Sequence, residues 1–102
     1  MQDRMIAGMT HITARVPTIH GPKYVQQLCK HWAHKLHVEF ENNIGVVHFE
    51  GAIATMIADA DGISITVEGE HMDVLERWQN VLAIHLDRFA FREAPLPFAW
   101  TS

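Results

Sequence analysis

Eight histidines, at positions 11, 20, 31, 34, 37, 48, 71 and 85, are the most chemically versatile residues in this sequence. Imidazole titrates near neutral pH, shuttles protons and ligates metals. The densest reactive stretch is Gln27-Leu28-Cys29-Lys30-His31-Trp32-Ala33-His34-Lys35. On a helix, residues three apart share a side, so His31 and His34 could offer two imidazoles to one metal ion. One or two further ligands would then complete the coordination. No HExxH motif or paired CxxC accompanies them, and the same residues also describe a solvated helix flank.

His85 raises a different question, because its spacing places it on an apolar stripe with Val81, Leu82 and Phe89. An unpaired ring there would cost on the order of 1–3 kcal/mol, so it needs a partner. A backbone carbonyl, Tyr24 or a histidine across a helix pair could serve. The ring is then either a satisfied structural group or a ligand-facing one. Arg88 and Arg92 follow at the end of the same segment. Basic side chains there complement the helix dipole, and a guanidinium can also grip a carboxylate or phosphate. Cys29 falls between Val25 and Trp32 on an apolar stripe and reads as a core residue. A nucleophilic thiol would need access and a depressed pKa. His31 points about 160° away around the helix, so no Cys–His pair forms.

The elements that must position these groups follow from periodicity. Residues 10–16 alternate, with Ile12, Ala14 and Val16 on one face, and Pro17 ends the strand. Gly21-Pro22 opens a helix. Its stripe of Val25, Leu28, Cys29, Trp32 and Leu36 predicts a run to about Lys35 or Leu36. Residues 38–68 read as a four-strand meander, turning at Asn42-Asn43, Gly51 and Asp61-Gly62. The strand over 53–58 is apolar on both faces. A second helix is expected over 72–89, and the tail with Leu96, Phe98 and Trp100 reads as an edge strand. Residues 1–8 are expected to be a loose lead-in.

The order β-α-β-β-β-β-α-β predicts an α+β fold: a two-layer sandwich with a mainly antiparallel sheet and two helices on one face. That order is similar to the TATA-binding-protein-like topology, an analogy that carries no function. The sheet's other face would carry His11, Thr13, Arg15, His37, Glu39, Glu41, Ser64, Thr66 and Glu68 around a small apolar centre at Ala54, Met56 and Ala58. Such a patch, or the C-terminal edge strand, predicts a homodimer.

Composition narrows the function classes. At 102 residues the chain is expected to form a single α+β domain, 1–102, that needs no disulfide or metal to fold. One cysteine excludes an intramolecular disulfide and suits a reducing compartment. No signal pattern or membrane-length apolar run is seen, so a cytoplasmic protein without membrane partners is expected. A net charge of −4 argues against a nucleic-acid partner. Protonating all eight histidines would reverse the sign of that charge, so self-association should depend on pH.

Three stretches carry a family resemblance. Thr13-Ala14-Arg15-Val16-Pro17-Thr18, then Tyr24 with Gln27 to Lys35, then His85-Leu86-Asp87-Arg88-Phe89-Ala90-Phe91-Arg92-Glu93 and Trp100 resemble the DUF2218 family of small bacterial proteins. The resemblance implies a recurrent polar set of His31, His34, Lys35, His85, Arg88 and Arg92. It also implies a link to siderophore-interacting proteins, a class of flavin-dependent ferric reductase, and so to iron or siderophore handling. Three functions compete: an accessory protein binding a metal, haem or iron chelate through the His/Arg set; a structural dimerising module; and a small enzyme using His31, His34 or His85 as acid or base. No paired nucleophile and base emerges, so the enzyme ranks below the binding protein.

Overall fold

The computed structural model describes residues 9–101. The expected lead-in over 1–8 lies outside the described residues. Eight elements follow in order: β1 (Thr10–Pro17), α1 (Gly21–Trp32), β2 (His37–Glu41), β3 (Ile44–Phe49), β4 (Ala52–Ala58), β5 (Gly62–Gly69), α2 (Met72–Phe89) and β6 (Ala99–Thr101). The strands form one antiparallel sheet in the order β2-β3-β4-β5-β1-β6. Alternation dictates which side chains enter the core. Ile12, Ala14 and Val16 of β1 are buried, as are Ile63, Ile65 and Val67 of β5.

The meander turns where the backbone is cheapest to reverse. Asn42 and Asn43 both adopt positive φ, 53° and 64°, between β2 and β3. That two-residue pattern matches the natural twist of a hairpin, and asparagine tolerates it. The β4–β5 turn is organised differently from the expected Asp-Gly signal. Asp59 Oδ1 accepts the amides of Asp61 and Gly62 at 2.8 and 2.9 Å, and Arg15 grips the same carboxylate from β1. Gly62 is required by close approach instead, since a Cβ there would lie 2.5 Å from the Val16 carbonyl oxygen.

Both helices lie on one face, α1 over β2, β3 and β4, and α2 chiefly over β5 and β1. Tyr24, Val25, Leu28, Cys29 and Trp32 of α1 and Leu75, Leu82 and Leu86 of α2 are buried against the sheet. A run of aromatic contacts ties the layers at one end. Trp32 meets Phe49 edge-on at 5.1 Å, and Phe49 stacks on Trp78 at 4.2 Å. The Trp78 indole N–H donates to the Glu50 carbonyl at 3.1 Å, which satisfies its one polar atom.

Two further expectations change. The first helix ends at Trp32, not near Lys35 or Leu36. The amides of Lys35 and Leu36 both turn back to the Trp32 carbonyl, so 33–36 form a turn that delivers the chain into β2. Second, Ala54, Met56 and Ala58 do not line the open face. They are buried beneath the helices, and Ile53, Thr55 and Ile57 face outward. With both faces of this strand apolar, alternation alone could not orient it. Packing decides: small side chains let the helices approach the sheet. Gly45 shows how close that approach is, because a Cβ there would lie 2.5 Å from the Cys29 sulfur. Among the described residues, no helix is long and apolar enough to cross a membrane.

Candidate functional site

The seam between α1 and α2 brings His31 and His85 together, with Arg92 on the adjoining cleft. Tyr24, Gln27 and His31 follow one another at helical spacing along one flank of α1. The first contacts Glu93 beyond the end of α2, and the last contacts His85 and Phe89 on α2. The two helices therefore run antiparallel along this seam.

At the α1 C-terminal end, the His31 and His85 rings lie 5.5 Å apart between centroids, tilted by 41°. His85 also lies 4.9 Å from Trp32, and His31 lies 6.0 Å from Phe89. His85 Nδ1 sits 2.8 Å from the Val81 carbonyl oxygen. A carbonyl can only accept, so Nδ1 carries a proton, which leaves Nε2 as the nitrogen able to present a lone pair. Metal-ligating histidines are commonly held this way, with one ring nitrogen anchored and the other presented. Two imidazoles on one ion, with bonds of about 2.1 Å and a near-tetrahedral angle, place their ring centres about 5 Å apart. The observed 5.5 Å between ring centres is close to that separation.

At the other end, Glu93 binds three elements together. Tyr24 donates its hydroxyl to the carboxylate, and Thr18 donates to its two oxygens at 2.9 and 3.0 Å. Thr18 in turn accepts the His20 amide at 3.1 Å. The Tyr24 hydrogen bond, with help from Thr18, holds the Glu93 carboxyl below its ordinary range. Burial first and the Glu93 carboxylate second push the Tyr24 phenol up to about 12. Beside this network opens a cleft of about 420 Å³ lined by His20, Lys23, Tyr24, Phe89, Phe91, Arg92 and Glu93. Phe89 joins the cleft to the histidine pair. The Gln27 side-chain oxygen, buried on the same flank of α1, has no hydrogen-bond partner among the described residues.

The expected site residues divide accordingly. His31 and His85 meet, and Arg92 lines the adjoining cleft with its guanidinium 5.4 Å from the Phe91 ring centre. His34 and Lys35 are exposed in the turn that follows α1. Arg88 is exposed in the last turn of α2, where it complements the helix dipole. Of the partners expected for His85, the backbone carbonyl and a histidine across the helix pair are both found. Tyr24 is instead committed to Glu93. Cys29 is buried, and burial pushes its thiol up to about 11. Sequence reasoning missed Lys23 and the Thr18–Tyr24–Glu93 network, and it named Gln27 only as the first residue of the reactive stretch. The spacing of Lys23, Gln27 and His31 along one helix flank was the available signal.

The same segments decide the family. A family model described as an uncharacterised protein conserved in bacteria matches residues 13–101. The chain belongs to the DUF2218 family. The solution structure of PA4090 from Pseudomonas aeruginosa is similar over most of the chain, with 34% identity and a TM-score of 0.78, covering 89% of this chain and 94% of that one. Among curated proteins, none matches. The DUF2218 fold is thus α+β, with two helices over an antiparallel sheet.

Proposed function

We propose that this DUF2218 protein is a small binding protein that takes a metal ion as its anionic chelate in the seam between α1 and α2. The observation that carries the reading is the His31–His85 pair, with His85 anchored by the Val81 carbonyl. On this reading His31 and His85 supply imidazole nitrogens to the metal, a ligand type suited to iron, zinc, copper and nickel. Lys23 and Arg92, on the adjoining cleft, attract the acidic groups of the chelator, while Trp32 and Phe89 give an apolar floor. Glu93 keeps its negative charge while bonded to Tyr24 and Thr18, so Lys23 and Arg92 must offset it for the anion to bind. Iron is the metal favoured by the family resemblance, and a siderophore-interacting reductase is the partner it suggests.

Trp32 lies beside His85 and so reports on the site. Ferric citrate should quench tryptophan fluorescence saturably at one equivalent. The double variant His31→Ala/His85→Ala should abolish that quenching, and Lys23→Gln/Arg92→Gln should weaken it and reduce its salt dependence. Saturable quenching that survives the histidine double variant would reject the proposed seam.

A further inference from the structure

The opposite layer carries a second constellation. On the open face of the sheet, His37 of β2 stands directly across from His48 of β3, their rings 4.7 Å apart. Glu39 lies two residues beyond His37, so strand alternation returns it to the same face, diagonal to His48. Its carboxylate oxygens lie 3.7 Å from His37 Nε2 and 3.6 Å from His48 Nε2. Among the described residues, this is the one group of three metal-ligating side chains whose donor atoms all lie within 4.8 Å of one another.

The distances have a specific meaning. They exceed a direct hydrogen bond, which spans about 2.7–3.2 Å for N–H···O. They approach the ~3.4 Å edge of a tetrahedron whose centre lies about 2.1 Å from nitrogen and oxygen ligands. His48 Nε2 is shielded from solvent yet has no hydrogen-bond partner among the described residues. It points at the same carboxylate as His37 Nε2. Paired strands hold all three groups, which limits the reorganisation needed to bind an ion.

We propose that His37, Glu39 and His48 form a metal site for a divalent first-row cation of the zinc class, separate from the helix seam. Two imidazoles and one carboxylate select such an ion over magnesium or calcium, which prefer all-oxygen shells. Three protein ligands leave the fourth position to water or an exogenous donor. His37 and Glu39 are more than half exposed, so that position faces solvent.

The test is calorimetric titration of the full chain with Zn²⁺, with and without Mg²⁺ in excess. One Zn²⁺ should bind tightly, since the two-imidazole seam lacks the third protein ligand that a bare ion needs, and excess Mg²⁺ should not displace it. His37→Gln and His48→Gln should each weaken binding about tenfold or more. The exposed position of His37 on an edge strand lets its variant fold even if His48→Gln does not. His31→Ala/His85→Ala should bind this Zn²⁺ unchanged, which separates the site from the seam. Undiminished binding by His37→Gln, loss of binding only in the seam variant, displacement by Mg²⁺, or no binding to the full chain would each overturn the proposal.

Discussion

Glu93→Ala should be among the most damaging single polar substitutions in this fold. Its carboxylate accepts from Tyr24 and Thr18, whose residues are only 5% and 7% exposed. Truncation leaves two buried hydroxyls without their acceptor, each costing about 1–3 kcal/mol. Water entering from the adjoining cleft offsets part of this, so a loss of about 2–4 kcal/mol is expected. With a urea dependence near 1.5 kcal/mol/M, the unfolding midpoint should drop by about 1–3 M. Glu93→Gln retains a carbonyl acceptor and should lose roughly half as much. The pH dependence has a definite sign. Hydrogen bonding depresses the folded carboxyl pKa below the unfolded value, so its stabilising effect is fully present above the unfolded pKa of about 4.3. It is lost as pH falls from there through the folded value. Wild type and Glu93→Gln should therefore differ in midpoint at pH 7 and converge in acid. A Glu93→Ala shift below about 0.5 M, or a difference from Glu93→Gln that grows in acid, would refute this role.

Other expectations concern packing and assembly. The Cys29 thiol, pushed up to about 11 by burial, should react slowly with a disulfide reagent at pH 8 and quickly once urea unfolds the chain; fast native labelling would contradict its place in the core. Gly45→Ala should cost about 1–3 kcal/mol by overpacking against the Cys29 sulfur 2.5 Å away. Adding Cys29→Ala should return part of that stability, and denaturant titration of the pair decides. A homodimer through the Ile44–Ile57 end of the open sheet face, leaving His37 and His48 uncovered, is also expected, since these isoleucines pair across strands there and are 40% and 46% exposed. Sedimentation at micromolar concentration should show twice 11.6 kDa, with Ile57→Lys monomeric; a wild-type monomer refutes it.

Much of this architecture was legible because amphipathic periods are local. The alternation of Ile12, Ala14 and Val16 and the apolar stripe of α2 each identify an element without knowledge of its neighbours. The end of α1 was not legible, because Leu36 fits the helical stripe as well as it fits the turn leading into β2. Orienting β4 required knowing which face the helices cover. For the candidate site, His85 stood out because a polar ring on an apolar stripe needs a partner. Its pairing with His31 depends on how two helices separated by four strands lie side by side, which no local spacing encodes. The same holds for Glu93, whose acceptor role exists only because β1, α1 and the end of α2 converge.

The most direct test of the helix seam as a chelate site is to follow the histidine ring resonances of the full chain by NMR during titration with gallium(III) citrate, a diamagnetic stand-in for the ferric chelate. The His31 and His85 signals should move together and saturate at one equivalent, with His85 keeping its Nδ1–H tautomer. Signals of His31 and His85 that stay fixed through saturating chelate would contradict the account.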